Sequence, residues 1–199
     1  VGHGSSRRES ELTLSGGGIR RFAQVPRQSL ARGAGGLRDL WVEQDRALRL
    51  QWQLQLVELR GPQGRIQLPD DTVHLIVGIS GAQVEVQAAD ARPTPLRRDH
   101  ALVAHGSSVE FSRPGIRGIG LSRVIVLSSE ASLPPARFAV TASHGALPLS
   151  RDLLALVVLK GSVTIGESTV SRDSAFVFGS EDPGAAVATS AQVLRISRS

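Results

Sequence analysis

The sequence predicts an all-β protein built from two similar antiparallel barrels. Three observations carry that expectation. Apolar residues recur at period two rather than 3.6, as in "LRLQWQLQLVEL". The 21 glycines and 10 prolines are spread along the chain, which suits many short strands and turns. A stretch of the first half can also be laid on the second, so one architectural unit is used twice.

The first residues, "VGHGSSRRESE", have no apolar export segment, and residues 1–11 read as a disordered or appended piece. "LTLSGGGIRRFAQVP" raises the question of a phosphate-binding loop. Such a loop needs a preceding strand, a following helix and usually a closing Lys-Ser/Thr pair. Here Ile19 to Val25 read as a short strand stopped by Pro26. The glycines are expected to let the entering strand bend tightly across a barrel end. Arg20 then points either to the barrel mouth or to solvent.

"SLARGAGGLRDLWVEQDRAL" has room for a turn or two of helix, although its glycines weaken it. Leu48, Leu50, Trp52, Leu54 and Leu56 next alternate with Arg49, Gln51, Gln53 and Gln55, giving a strand with one apolar and one polar face. "GPQG" is expected to turn the chain. "VHLIVGI" and "AQVEVQA" read as two strands of a hairpin joined at Ser80-Gly81. "HALVAHG", "SVEF" and "LSRVIVLS" are further strands, and "ASLPPARF" is the linker candidate. After it come "DLLALVVL", "SVTIG", "STVS", "SAFVF", "AAVATS" and "QVLRIS", short and rich in β-branched residues.

In the repeat, Gly81 meets Gly161, and Arg98-Asp99-His100-Ala101-Leu102-Val103 meets Arg172-Asp173-Ser174-Ala175-Phe176-Val177. The first copy carries an extra "AADARPT" loop. Domains at 12–130 and 131–199 are the expected division.

Composition bounds function. Hydrophobic residues make up 41% and charged residues 21%, ordinary for a soluble globular chain. No apolar run approaches the roughly 20 residues that cross a bilayer, so no membrane partner is expected. Cysteine is absent, which removes disulfides and thiolate chemistry and fits a reducing cytoplasm. The net charge is +5, and Lys160 is the only lysine among the 23 basic residues. The arginines are scattered and aromatics are only 4%, which argues against a nucleic-acid face.

A strand, a glycine turn, a strand, an Asp before an apolar strand and a Gly before another resemble the cupin barrel. Duplicated, the pattern resembles a bicupin, and within bicupins the HutD/Ves family. That family opens on a Gly-Gly-Gly-Thr-Thr-Arg-Glu-like motif, followed by a strand bearing Trp and a Pro-containing turn. Here "SGGGIRRFA", Trp52, "QLPDD" and Gly81 follow in that order, and the resemblance spans roughly residues 12 to 199. The chain departs from it where Gly18 and Ile19 replace the Thr pair and Arg21 stands at the acid. "LSRVIVLS" also lacks the family's late acid. The resemblance implies a link to histidine breakdown or its regulation.

Metal-binding cupins use His-x-His, a Glu and a later His, because first-row metals need about three converging ligands. No His-x-His occurs here, and the later ligand positions fall on Val109 and Val187. His100 and His105, five apart, fall on opposite faces of a strand. No metal or other cofactor is expected. There is no Gly-x-Ser-x-Gly elbow. Asp70 or Asp71 with His74 is the one acid–base pair to weigh, although Leu-Pro-Asp-Asp reads equally as a turn.

The candidate ligand-binding residues are Arg20, Trp52, Gln53, His74 and Arg117, with the paired donors of Arg20 suited to a carboxylate. The leading expectation is a metal-free bicupin that binds a small organic anion; whether it also catalyses is left open by the sequence, with the balance against. The alternative is a structural or interaction protein with filled barrels, arranged as a homodimer.

Overall fold

The computed structural model describes residues 17–88, 91–113, 120–179 and 184–199. Arg117 lies outside the described residues. The described chain is almost all strand, in fourteen pieces with a single 3-10 turn at Phe22–Gln24. The strands are β1 (Gly18–Arg21), β2 (Arg32–Gln44), β3 (Leu50–Gln67), β4 (Thr72–Ser80), β5 (Val84–Ala88), β6 (Thr94–Leu96) and β7 (Ala101–His105). They continue with β8 (Ser108–Ser112), β9 (Ser122–Glu130), β10 (Arg137–Leu147), β11 (Leu153–Ile165), β12 (Ser168–Ser171), β13 (Ser174–Val177) and β14 (Ala186–Ser197).

An eight-stranded antiparallel sheet runs β6-β5-β8-β3-β9-β4-β7, with β2 on the other edge of β3. Its hinge is β3. Trp52–Leu59 pair with β9, whereas Gln63–Gln67 pair with β8. The strand bends between these halves at Gly61–Gly64, and β2 shifts register there. "GPQG" is therefore a bend inside an 18-residue strand and not a turn. A proline and two glycines weaken the ladder locally, but both flanks stay paired.

The six-stranded sheet runs β1-β13-β11-β14-β10, with β12 on β11. β1 comes from the start of the chain and pairs antiparallel with β13, Arg20 opposite Ala175.

Three further sequence expectations change. "SLARGAGGLRDLWVEQDRAL" contains no helix; Arg32–Gln44 are strand β2, because bulges at Gly33/Gly35 and Asp39/Trp41 fit the segment to β3. Pairing outweighs weak local propensity there. Ser80-Gly81 does not close a hairpin, since β4 pairs with β7 and β9 while β5 pairs with β6 and β8. Gly81, at φ 90°, carries the chain from one wall of the barrel to the other. "DLLALVVL" with "SVTIG", and "AAVATS" with "QVLRIS", each form one long strand kept continuous by bulges.

Three apolar layers result. Val57, Ile66, Ile76, Val109, Phe111 and Val126 fill the first barrel. Leu156, Val158, Val163, Val170, Phe178 and Val193 fill the second. Between the barrels, Trp52, Leu54, Leu56 and Leu127 meet Leu154, Val157, Leu194 and Ile196. Each fully buried side chain of this kind contributes about 1.5–3 kcal/mol. The interior is thus a stack of barrel, seam and barrel.

The duplication is visible in the backbone. Asp99 and Asp173 both sit at φ 61°, and Gly81 and Gly161 both have positive φ. β4 bulges between Gly78 and Ser80 against Arg123; β11 bulges between Val158 and Lys160 against Gln192.

Candidate functional site: the seam between the barrels

Residues that alternate along β3, β4 and β9 set two faces. Trp52, Leu54 and Leu56 face the seam, so Gln53, Gln55, His74 and Ser128 face the first lumen. His74 is 0% exposed. Its Nε2 lies 2.8 Å from the Gly106 carbonyl oxygen and its Nδ1 lies 2.9 Å from Ser128 Oγ. A carbonyl only accepts, so Nε2 carries the proton and Nδ1 accepts from the serine hydroxyl. The Thr72 hydroxyl is also near Nε2 and donates to the Pro69 carbonyl at 2.6 Å. Burial lowers the His74 pKa below its ordinary 6.5; the Gly106 bond opposes this, and positive charge on His105 adds to it.

His74 is therefore a neutral, fully engaged core imidazole. No carboxylate of Asp70 or Asp71 hydrogen-bonds to it; Asp71 occupies a turn at φ 55°. The nearby amide nitrogens are engaged as well, although Gln55 Oε1 is buried without a partner among the described residues. Gln53 and Gln55 donate to Asp39 Oδ1 at 3.0 and 2.7 Å, and Gln28 donates to Oδ2 at 2.9 Å.

These donors do not fit a first-row metal. Both His74 nitrogens are occupied, and Val109 is wholly buried among hydrocarbon in the first lumen. The second lumen is walled by aliphatic residues, alanines and Phe178. Among the described residues, no group of three or more His, Asp or Glu is placed to hold a metal ion.

Polar side chains instead gather at the seam. Glu58, with its side chain 6% exposed, receives Arg38 Nε at 3.3 Å and Arg123 Nε at 3.2 Å. Arg123 Nη1 also reaches Asp173 Oδ1 at 2.7 Å. In the pseudo-equivalent place, Gln192 donates to Asp99 Oδ2 at 3.2 Å, and Arg98 Nη2 donates to Gln192 Oε1 at 3.1 Å. Each Asp of the repeated Arg-Asp turn thus contacts the opposite barrel.

Beside this pair of contacts is a cleft of about 50 Å³, lined by Phe22, Ile79, Val158 and Leu159 and by Arg98, Arg172 and Asp173. Its two arginines occupy matching places in the repeat. Arg172 makes no ion pair among the described residues, whereas Arg98 lies 3.6 Å from Asp99. A second, wider groove of about 190 Å³ lies on the outer face of the first barrel.

The sequence candidates do not share one cavity. Arg20 is half-buried on β1, where its Nε donates to the Leu40 carbonyl at 3.2 Å and ties the second sheet to the first. Trp52 lies in the seam at 4% exposure, Gln53 binds Asp39, and His74 lies in the first lumen. None of the four lines the cleft or the groove. Arg98 and Arg172 were visible in the sequence as repeat partners but carried no functional signal. Asp39, Glu58 and Ser128 had none.

No family model matches the sequence, and no curated protein matches it. Solved structures do. HutD from Pseudomonas fluorescens SBW25 is similar at a TM-score of 0.70 and 12% identity, over 92% of this chain and 100% of that one. The conserved protein of unknown function PA5104 from Pseudomonas aeruginosa PAO1 is similar at 0.70 and 17%, over 92% and 98%. The bacterial pirin YhhW of Escherichia coli, solved with nickel(II), is similar at 0.60 and 10%, over 90% and 97%. All three are cupin-fold proteins. The chain has a double cupin fold. At these identities the likeness establishes the architecture alone, and within it the cleft lies where the two cupin barrels meet.

Proposed function

We propose that this protein is a metal-independent, non-enzymatic double cupin that binds a small organic anion in the cleft between its barrels. One observation carries the reading: equivalent turns of the two repeats bring Arg98 and Arg172 to the same small cleft. Two guanidinium groups against one lining carboxylate leave an excess of positive charge, and a planar fork suits a carboxylate. The apolar wall of Phe22, Ile79 and Leu159 lowers the local dielectric, which strengthens such a contact. A volume near 50 Å³ admits a carboxylate group with little attached.

The absence of catalysis is part of the proposal. His74 has no free nitrogen and no carboxylate partner in the structure. In this reading Arg20, Trp52, Gln53 and His74 serve by packing and by bonding to the chain. The place in or near histidine utilisation rests on the resemblance to HutD/Ves proteins, and the cytoplasmic location on the absence of cysteine. The acids formed in histidine breakdown accordingly belong in the ligand panel.

The test is thermal unfolding with formate, acetate, succinate and those acids, on wild type and on Arg172→Gln. A ligand at 100 times its Kd stabilises by about 2.7 kcal/mol, which is about 5–10 °C for a chain of this size. Wild type is expected to respond and the variant to lose the response. A panel without any shift, or one that shifts both proteins equally, overturns the reading.

A second reading is favoured by the packed lumens: a structural or interaction protein, arranged as a homodimer. It predicts a dimer in light scattering and no response to any acid.

A further inference from the structure

The groove on the outer face of the first barrel separates positive from negative charge. Pairing sets the rows. Arg32 on β2 is opposite Arg65 on β3, Arg65 is opposite Glu110 on β8, and Glu110 is opposite Gln87 on β5. One row along, Ser112 on β8 is opposite Glu85 on β5. All these side chains point outward, because Gly64, Ile66, Val109, Phe111, Val84 and Val86 of the same strands point into the lumen. Both cations therefore stand on β2 and β3, and both carboxylates on β8 and β5.

Two arginines directly opposite each other on neighbouring strands repel. Their neutralisation is incomplete. Arg65 Nη1 lies 3.6 Å from Glu110 Oε1 and its Nη2 donates to Ser108 Oγ at 3.2 Å, while its Nε is buried without a hydrogen-bond partner among the described residues. Arg32 has no ion pair or side-chain hydrogen bond among the described residues. On the far side, Glu85 Oε2 accepts from Ser112 Oγ at 3.1 Å and pairs with no cation among the described residues. The groove thus holds unmet donors at one end and an unmet acceptor at the other.

We infer that this groove is a second binding site, selective for a small zwitterion with its carboxylate at Arg32 and Arg65 and its ammonium at Glu85 and Glu110. A simple anion meets the glutamates and a simple amine meets the arginines, so each is repelled at one end. A molecule with both charges satisfies both ends. The volume of about 190 Å³ is below the roughly 300–1,000 Å³ of drug-sized pockets, so the occupant is short. β3 and β5 lie two strand spacings apart, about 10 Å, which favours separated charges over an α-amino acid.

The experiment is isothermal titration with 6-aminohexanoate, hexanoate and hexylamine. The zwitterion is expected to bind at least about tenfold tighter than either single-charge analogue, the size of one lost charge-assisted contact. Arg65→Gln and Glu85→Gln are each expected to weaken it about tenfold, by the same contact energy. Both residues point outward, and cooperative unfolding of each variant checks that it folds. All titrations are run in an Arg172→Gln background, which removes anion binding at the seam cleft, so the heat measured belongs to this groove. Hexanoate binding as tightly as the zwitterion, no heat from the zwitterion at millimolar concentration, or an undiminished affinity in Arg65→Gln overturns the inference.

Discussion

Replacing His74 with phenylalanine tests the reading of the first lumen quantitatively. The substitution keeps an aromatic ring and removes both polar ends. It strands Ser128 Oγ, itself 0% exposed, and the Gly106 carbonyl. A buried group left unsatisfied costs about 1–3 kcal/mol and the half-buried Gly106 carbonyl less, so the variant is expected to lose about 1–4 kcal/mol at pH 7.5. Adding Ser128→Ala removes one stranded group and is expected to restore about 1–3 kcal/mol. Acid provides a second readout. Burial depresses the pKa of His74 in the folded protein below 6.5, so between the two values the unfolded chain binds a proton that the native one refuses. Wild-type stability from this group is complete above pH 6.5 and falls as pH drops through and below it, at up to about 1.4 kcal/mol per pH unit. The variant lacks that slope, and the gap between the two proteins narrows from pH 7.5 towards pH 5. Urea unfolding at four or five pH values measures it. A gap that stays constant or widens on acidification refutes a neutral, buried His74.

Three further outcomes follow from the seam and the turns. Glu58→Ala leaves Arg38 and Arg123 without their buried partner and is expected to cost about 3–5 kcal/mol in denaturant unfolding. Asp173→Asn, whose side chain is 49% exposed, removes a surface pair and is expected to cost at most about 1 kcal/mol. Gly161→Ala places a methyl 2.4 Å from the Ser190 carbonyl oxygen at φ 72° and is expected to lower stability by at least about 2 kcal/mol, whereas Gly145→Ala, with open space around it, is expected to cost only about 1–2 kcal/mol for its positive φ. Equal losses at the two glycines, read by thermal unfolding, count against the close approach at Gly161.

Much of the architecture was legible because period-two patterning survives without knowledge of partners. Leu50 to Leu56 read as a strand with one apolar face, and they are one. The Arg-Asp repeat was also readable, since its turns need the same left-handed Asp. Periodicity could not say which face met the seam and which met the lumen, because both are covered in a double barrel. Gln53 and Gln55 therefore read equally as wet lumen or as exterior; in the fold they line the lumen and bind Asp39. "ARFAVTASHGAL" carried no clear strand signal, yet β10 forms on β14. Ser128 and Gly106 beside His74, Arg38 and Arg123 beside Glu58, and Arg123 beside Asp173 lie 20 to 65 residues away from their partners in sequence, and only the folded pairing brings them together.

The placement of β1 has a consequence for how the chain is made. The ribbon at Gly18–Arg21 leaves the ribosome before its mate at Ser174–Val177, which follows more than 150 residues later. At about 5–20 residues per second, those four residues wait about 8–30 s for a partner. The later-made sheet is thus fastened by an earlier-made piece, and cutting the chain between β1 and β2 after synthesis should loosen that sheet first.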